Sequence, residues 1–217
     1  MPNSKLVENT IAFVKNTLEG AEGGHDWFHI ERVFNNSRLI AEGEESNLEI
    51  VELGALLHDI ADSKFHNGDE TVGPKVASDF LRSQGASAEI ISHVIKIIEN
   101  ISFKGGNEDQ EFTSTELDIV QDADRLDAIG AIGIARCFNY GGFKGRALYD
   151  PEIEPNLKMT KEEYKASNAP TINHFYEKLL LLKDRMNTET GRRIAADRHA
   201  YMVGFLDQFF NEWNGRR

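Results

Sequence analysis

The nine residues HDIADSKFH, 58 to 66, place two histidines, two aspartates and a lysine directly behind the apolar run LGALL. A charge at the end of a buried segment is costly unless it is paired or bound to a metal. Two more polar residues fall where apolar ones are expected. His29 lies one turn before Val33, and Asp124 lies four residues after Val120 and seven after Leu117, each on an otherwise apolar helical face. With the His58–Asp59 pair they make two imidazoles and two carboxylates, a set that helix bundles gather from inward side chains to hold a metal. Lacking a thiolate, the set favours one borderline-to-hard divalent ion. Mn²⁺ is the preferred assignment, with Mg²⁺, Fe²⁺, Co²⁺ and Zn²⁺ as alternatives. A divalent charge set against two aspartates leaves such a site close to neutral and able to polarise a phosphoryl group and an attacking water.

The elements that must position these residues read as helices almost throughout. Val7, Ile11, Val14 and Leu18 share a face, and Gly20 follows as a stop. Trp27, Ile30, Val33 and Phe34 open a second helix. Residues 48–61 are apolar nearly all round, which predicts a central buried helix carrying Val51, Ala55, His58, Asp59 and Asp62 on one broad face. Pro74 suits a first turn, Gly85 ends that helix, and Ser87 caps a further one lined by Ile90, Val94, Ile97 and Ile101. TSTE at 113–116 reads as a capping box, with Thr113 as N-cap and Glu116 three residues on. Residues 139–170 hold three glycines and three prolines and predict a long loop or lid. Helical spacing returns with Ile172, Phe175, Leu179, Leu182 and Met186, and again from Ile194 to Trp213. Strand patterns are absent, so the reading is all-α.

Composition narrows the function classes. The chain has 217 residues, 40% of them hydrophobic and 28% charged, with a formal net charge of −12. That field disfavours long nucleic acids and anionic membrane surfaces as partners, though not small phosphorylated ligands. Cys137 is the single cysteine and has no internal partner, which fits a reducing compartment. The first residues show no basic segment leading into an apolar one, and no apolar run reaches the roughly 18 residues of a membrane span. The expected location is cytoplasmic. The apolar C-terminal stretch FLDQFFNEW reads as core or as a homodimer contact.

His29, His58–Asp59 and Asp124 resemble the ordered H…HD…D pattern of the HD-domain metal-dependent phosphohydrolases. GHDWFHIERV at 24–33, ALLHDIAD at 55–62, QDADRLDAIGAIGIAR at 121–136, the YGGFKGRALYDPEI loop and the segment running from His174 to His199 are similar to a bacterial subfamily linked to nucleoside triphosphate pyrophosphohydrolysis. The likeness runs from about Gly24 to Trp213. It implies a single-domain HD-type helical bundle with a lid-like loop: HD core about 20–138, lid about 139–170, C-terminal helices about 171–214. It also implies hydrolysis of a (deoxy)nucleoside triphosphate to monophosphate and pyrophosphate, with a nucleotide phosphatase or 5′-nucleotidase, or a non-catalytic nucleotide binder, as alternatives.

By the same resemblance His29, His58, Asp59 and Asp124 are the metal ligands, and Asp62 positions or deprotonates the nucleophile. Its alternative is a solvent-facing residue at a helix end. Lys64 and His66 complete the candidate catalytic set as phosphate contacts, or are exposed loop residues. Asp127, one turn after Asp124, is a candidate to orient a ligand imidazole, or else a salt-bridge partner. A triphosphate needs cations. Lys144 and Arg146 within GGFKGR lead, followed by Lys178, Lys183 and Arg193, with Lys104 and Arg192 behind them. His66 and His93 are the spare histidines that a second metal would require.

Overall fold

A computed structural model describes residues 5–20, 26–61, 69–101, 112–160, 163 and 167–216. Among them no strand occurs, and the architecture is the all-α helical bundle that the apolar spacing predicts. The chain falls into two compact units, one ending at Asp124 and one beginning at Arg125, with the boundary inside a single continuous helix.

The first unit contains α1 (Lys5–Thr17), α2 (Trp27–Ala41), α3 (Leu48–Leu57), α4 (Val72–Ser83), α5 (Ala88–Asn100) and the larger part of α6 (Thr115–Asp127). Helix α3 is its centre. Eight consecutive residues, Ile50 to Leu57, are buried, because α1, α2 and α5 all pack on it. The apolar character all round the segment thus matches an element covered on most sides. Its one buried charge, Glu52, lies 3.4 Å from the Arg38 guanidinium of α2. Asn47 begins the helix by accepting from the Glu49 and Ile50 amides, at 3.1 and 3.4 Å.

Two local readings need correction here. Helix α3 stops at Leu57, so His58 and Asp59 occupy the turn that leaves it rather than its face. The cap of α6 is Ser114, whose hydroxyl accepts from the Leu117 amide at 3.1 Å, and not Thr113. Glu116 does not reach back within its own helix either. It accepts instead from the Asn47 amide at 2.9 Å, joining the start of α6 to the start of α3.

The second unit holds the end of α6, then α7 (Gly130–Phe143), the short α8 (Asn173–Glu177), a 3₁₀ segment (Leu179–Arg185) and the long α9 (Glu189–Trp213). Helix α9 packs on α7 and on the 3₁₀ segment. Phe138, Phe175 and Phe205 meet with ring centroids 5.8–6.0 Å apart. Tyr149 closes against Phe209, Phe210 and Trp213 at 5.1–6.2 Å.

Here too the expected loop begins late, since α7 continues through 139–143. Gly141 is a packing residue: a Cβ there would lie 2.2 Å from the Thr171 hydroxyl oxygen. Gly141, one of the glycines that suggested a loop, therefore permits close approach along a helix. The spacing from Ile172 to Met186 is likewise split into α8 and the 3₁₀ segment, and Met186 is extended. No described helix is long and apolar enough to cross a membrane.

Candidate metal centre

Each inward polar residue of the first unit is set by a local device. Asp26 caps α2 and accepts from the backbone amide of His29 at 2.9 Å, fixing His29 in the first turn. His29 is then buried, with 4% of its side chain exposed. His58 sits one residue past α3, and its Nδ1 lies 2.8 Å from the Ala55 carbonyl. A carbonyl only accepts, so Nδ1 carries the proton and donates it. The imidazole is thereby presented as the tautomer whose Nε2 has a free lone pair.

The rings of His29 and His58 meet edge to face with centroids 5.4 Å apart. One ligand atom from each of His29, His58 and Asp59 lies within 4.8 Å of the others, and both histidines are buried. Asp124 of α6 has Oδ1 3.6 Å from His29 Nε2 but lies outside that group of three, and its side chain is 43% exposed rather than on the buried face that the spacing predicts. Bonds of about 2.1 Å to a common ion place donor atoms about 3–4 Å apart, and the donors of His29, His58 and Asp59 lie near that range, all within 4.8 Å of one another. Two buried imidazoles, one with its proton already committed to a backbone carbonyl, fit a divalent cation. Among the described residues His29, His58 and Asp59 form the one such group.

The other candidates fall elsewhere. Asp62, Lys64, His66 and Lys104 lie outside the described residues. His93, a spare imidazole for a second metal, lies 2.9 Å from the Ser114 hydroxyl and 3.4 Å from Glu116, and so belongs to the junction of α5 and α6. Asp122 is wholly buried and partnered. Asp127 is 1% exposed, and its carboxylate pairs with the Arg136 guanidinium of α7.

Among the cations, Lys144 and Arg146 flank the Tyr140 ring, each 5.6 Å from its centroid. Arg146 also donates to the Ser167 carbonyl at 2.6 Å, while its Nε is buried without a partner. Arg146 and Lys178 both act on His174, whose pKa burial pushes down to about 4 with help from these two charges, Lys178 first. Lys183 sits beside Asp184 at 3.7 Å. Arg192 donates to the Met186 and Asn187 carbonyls. Arg193 is exposed on α9. Sequence reasoning missed Asp26, although an Asx residue directly before an apolar periodic run is a legible cap. It also missed Arg136 and Arg198, which act across a turn and leave no periodic trace.

Comparison with known proteins agrees with this geometry. Residues 27–129 match the HD domain. The chain is 40% identical over 211 residues to YpgQ of Bacillus subtilis (strain 168), covering 96% of this chain and 94% of that protein. A crystal structure of an HD-superfamily hydrolase from Bacillus thuringiensis superposes with a TM-score of 0.81 at 45% identity, over 99% of this chain and all of that one. The crystal structure of B. subtilis YpgQ in complex with ADP superposes with a TM-score of 0.74 at 34% identity, over 98% and 97% of the two chains.

Proposed function

Since the chain belongs to the HD-domain family, we propose that it is a metal-dependent hydrolase of nucleotides, and that it cleaves (deoxy)nucleoside triphosphates to monophosphate and pyrophosphate. The observation that carries the first part is the donor group of buried His29 and His58 with half-buried Asp59, and Asp124 3.6 Å from His29. Nucleotide as the substrate class is supported by the ADP complex of YpgQ. Attack at the α-phosphorus rests on the resemblance of the DADRLDAIG and YGGFKGR segments to the pyrophosphohydrolase subfamily.

A bound divalent ion, with Mn²⁺ the preferred assignment, supplies Lewis acidity and lowers the pKa of water. The chain's own residues do the rest. His58 turns its Nε2 to the ion, since its Nδ1 donates to the Ala55 carbonyl. Asp59 and Asp124 bring two negative charges that leave a divalent site neutral. Asp62 is assigned the proton of the attacking water, and Lys64 and His66 the nearby phosphate oxygens. Lys144, Arg146, Lys178, Lys183 and Arg193 are this reading's candidates for the charge of the triphosphate. In the reaction water adds to the α-phosphorus, the bond to the α–β bridging oxygen breaks, and pyrophosphate leaves.

Purified protein, Mn²⁺ and a panel of deoxynucleoside and ribonucleoside triphosphates, with products resolved by ion exchange, tests the proposal. Monophosphate and pyrophosphate in equal amounts are expected. Orthophosphate as the first product would replace the reading by a phosphatase or nucleotidase. Binding without turnover would replace it by a nucleotide-binding role.

A further inference from the structure

The formal charge of −12 is not spread evenly along the chain. From Arg125 onward 15 Lys and Arg stand against 12 Asp and Glu, so the second unit carries +3 and the residues through Asp124 carry −15. Cations to meet a ligand bearing several negative charges are therefore concentrated in the second unit.

One arginine of that unit is built into it. The residues after Arg146 pair with the segment leading into α8: the Thr171 amide donates to the Ala147 carbonyl at 2.9 Å, and the Ile172 amide to the Leu148 carbonyl at 3.0 Å. Arg146 itself is half-buried. Its Nη2 donates to the Ser167 carbonyl at 2.6 Å, and its guanidinium carbon lies 5.6 Å from the Tyr140 ring centroid. These two contacts hold the guanidinium plane, while Nε is buried without a partner. A cationic N–H in that position costs free energy until an acceptor reaches it. With the neighbouring Nη it makes the fork that grips an oxyanion through two parallel bonds.

Lys178 brings a second charge to the same place. Its amide donates to the His174 carbonyl at 3.0 Å, one turn past that residue. Burial, then the Lys178 charge, then that of Arg146 hold the His174 imidazole down to about 4. Two cations converging on one desolvated imidazole do not help the fold by themselves, and an anion joining them relieves the strain. The Lys178 side chain is exposed, which gives such an anion a way in. Lys183 and Arg192 are engaged elsewhere, by Asp184 and by the Met186 and Asn187 carbonyls.

We propose that Arg146 and Lys178 form a diphosphate-binding subsite contained within the second unit, which needs no metal to bind. The Nε edge of Arg146 takes the oxygens of one phosphate, and the Lys178 ammonium meets the charge of the next. For the identity of its ligand, a nucleotide or the pyrophosphate split from one, the subsite rests on the nucleotide reading above.

Titration calorimetry of the full-length protein in EDTA, with pyrophosphate, ADP and AMP as probes, tests it apart from turnover. Pyrophosphate and ADP are expected to bind, and AMP, with one phosphate, about tenfold more weakly. Arg146→Gln is expected to weaken ADP binding about tenfold or more, and Lys178→Gln about three- to tenfold. Arg216→Gln removes the same charge from an exposed position near the end of α9 and is expected to leave binding unchanged. If Arg146→Gln fails to fold, Lys178→Gln carries the test at an exposed side chain. ADP binding tighter than pyrophosphate identifies the nucleotide as the occupant, and equal binding identifies the product. Equal losses in Lys178→Gln and Arg216→Gln overturn the subsite in favour of a diffuse positive field. A wild-type protein that hydrolyses triphosphates with Mn²⁺ yet binds neither pyrophosphate nor ADP in EDTA overturns it too, and leaves the hydrolase reading standing. Metal-free binding without any hydrolysis supports the subsite and removes the hydrolase reading, so the two failures are told apart.

Discussion

At His58 the position of the proton matters as much as the position of the ring. The Ala55 carbonyl takes Nδ1–H at 2.8 Å, so the other nitrogen is left with its lone pair. Loss of one preorganised hydrogen-bond donor at an oxyanion hole costs about 10²–10³ in rate, and loss of a metal-holding side chain is expected to cost at least as much. His58→Ala and Asp59→Ala are expected to lose about that much activity with Mn²⁺ and triphosphate, and chelation by EDTA to abolish it until Mn²⁺ is restored. A second histidine behaves differently. Burial, then Lys178, then Arg146 hold His174 down to about 4 in the folded protein, while the unfolded chain has about 6.5. Above pH 6.5 both states are neutral there and the residue adds no pH dependence. Below it the unfolded state takes up the proton and the folded state does not, so stability falls progressively from pH about 6.5 to about 4. Between pH 7.5 and 5 the loss amounts to about 2 kcal/mol. Urea unfolding at the two pH values measures it, and His174→Gln is expected to remove that part of the decline.

Helix ends, more than helix faces, decide what this sequence reveals. His29 is legible because a polar residue on an apolar periodic face stands out, whereas Asp124, read by the same signal, has a side chain 43% exposed; the apolar circumference of 48–61 announces α3. The spacing could not show that α3 stops at Leu57, since periodicity carries no signal for the turn that holds His58 and Asp59. Nor could it show the partner of Asp127. Arg136 lies nine residues on and across a turn, outside any i, i+4 relation. Glycine misled in 139–143 because the same residue type serves loops and close packing. The α6–α7 turn offers an element-scale prediction on the same physics. A Cβ at Gly133 would lie 2.2 Å from the Ala128 carbonyl oxygen, which is backbone and cannot swing away. Gly133→Ala is therefore expected to cost about 3 kcal/mol, the upper range for overpacking. Cys137 on the same helix reports it: burial raises its thiol to about 12, so thiolate is scarce and labelling slow in the native protein. Faster labelling by a disulfide reagent at pH 7.5 in the Gly133→Ala protein is the expected signature.

The molecule as a whole carries a charge of −12, so any cation will gather at its surface, and stabilisation by a metal has to be separated from that background. The donors His29, and His58 with Asp59, come from the first turn of α2 and the turn after α3, and α6 brings the Asp124 carboxylate to 3.6 Å from His29. These segments lie far apart in sequence, and an unfolded chain does not hold them together. A cation seated on all of them then stabilises only the folded state, by about 2.7 kcal/mol at a hundred times its dissociation constant. For a chain of this length each kcal/mol raises the melting temperature about 2–4 °C. Saturating Mn²⁺ is thus expected to raise it by about 5–11 °C in ~0.15 M salt, where long-range attraction is largely screened. The Asp59→Ala protein keeps almost the same field, its net charge moving from −12 to −11 with one carboxylate removed, yet should show almost none of the increase. Equal shifts in both proteins would assign the effect to diffuse counter-ion binding, and the three-segment centre would lose its thermodynamic support.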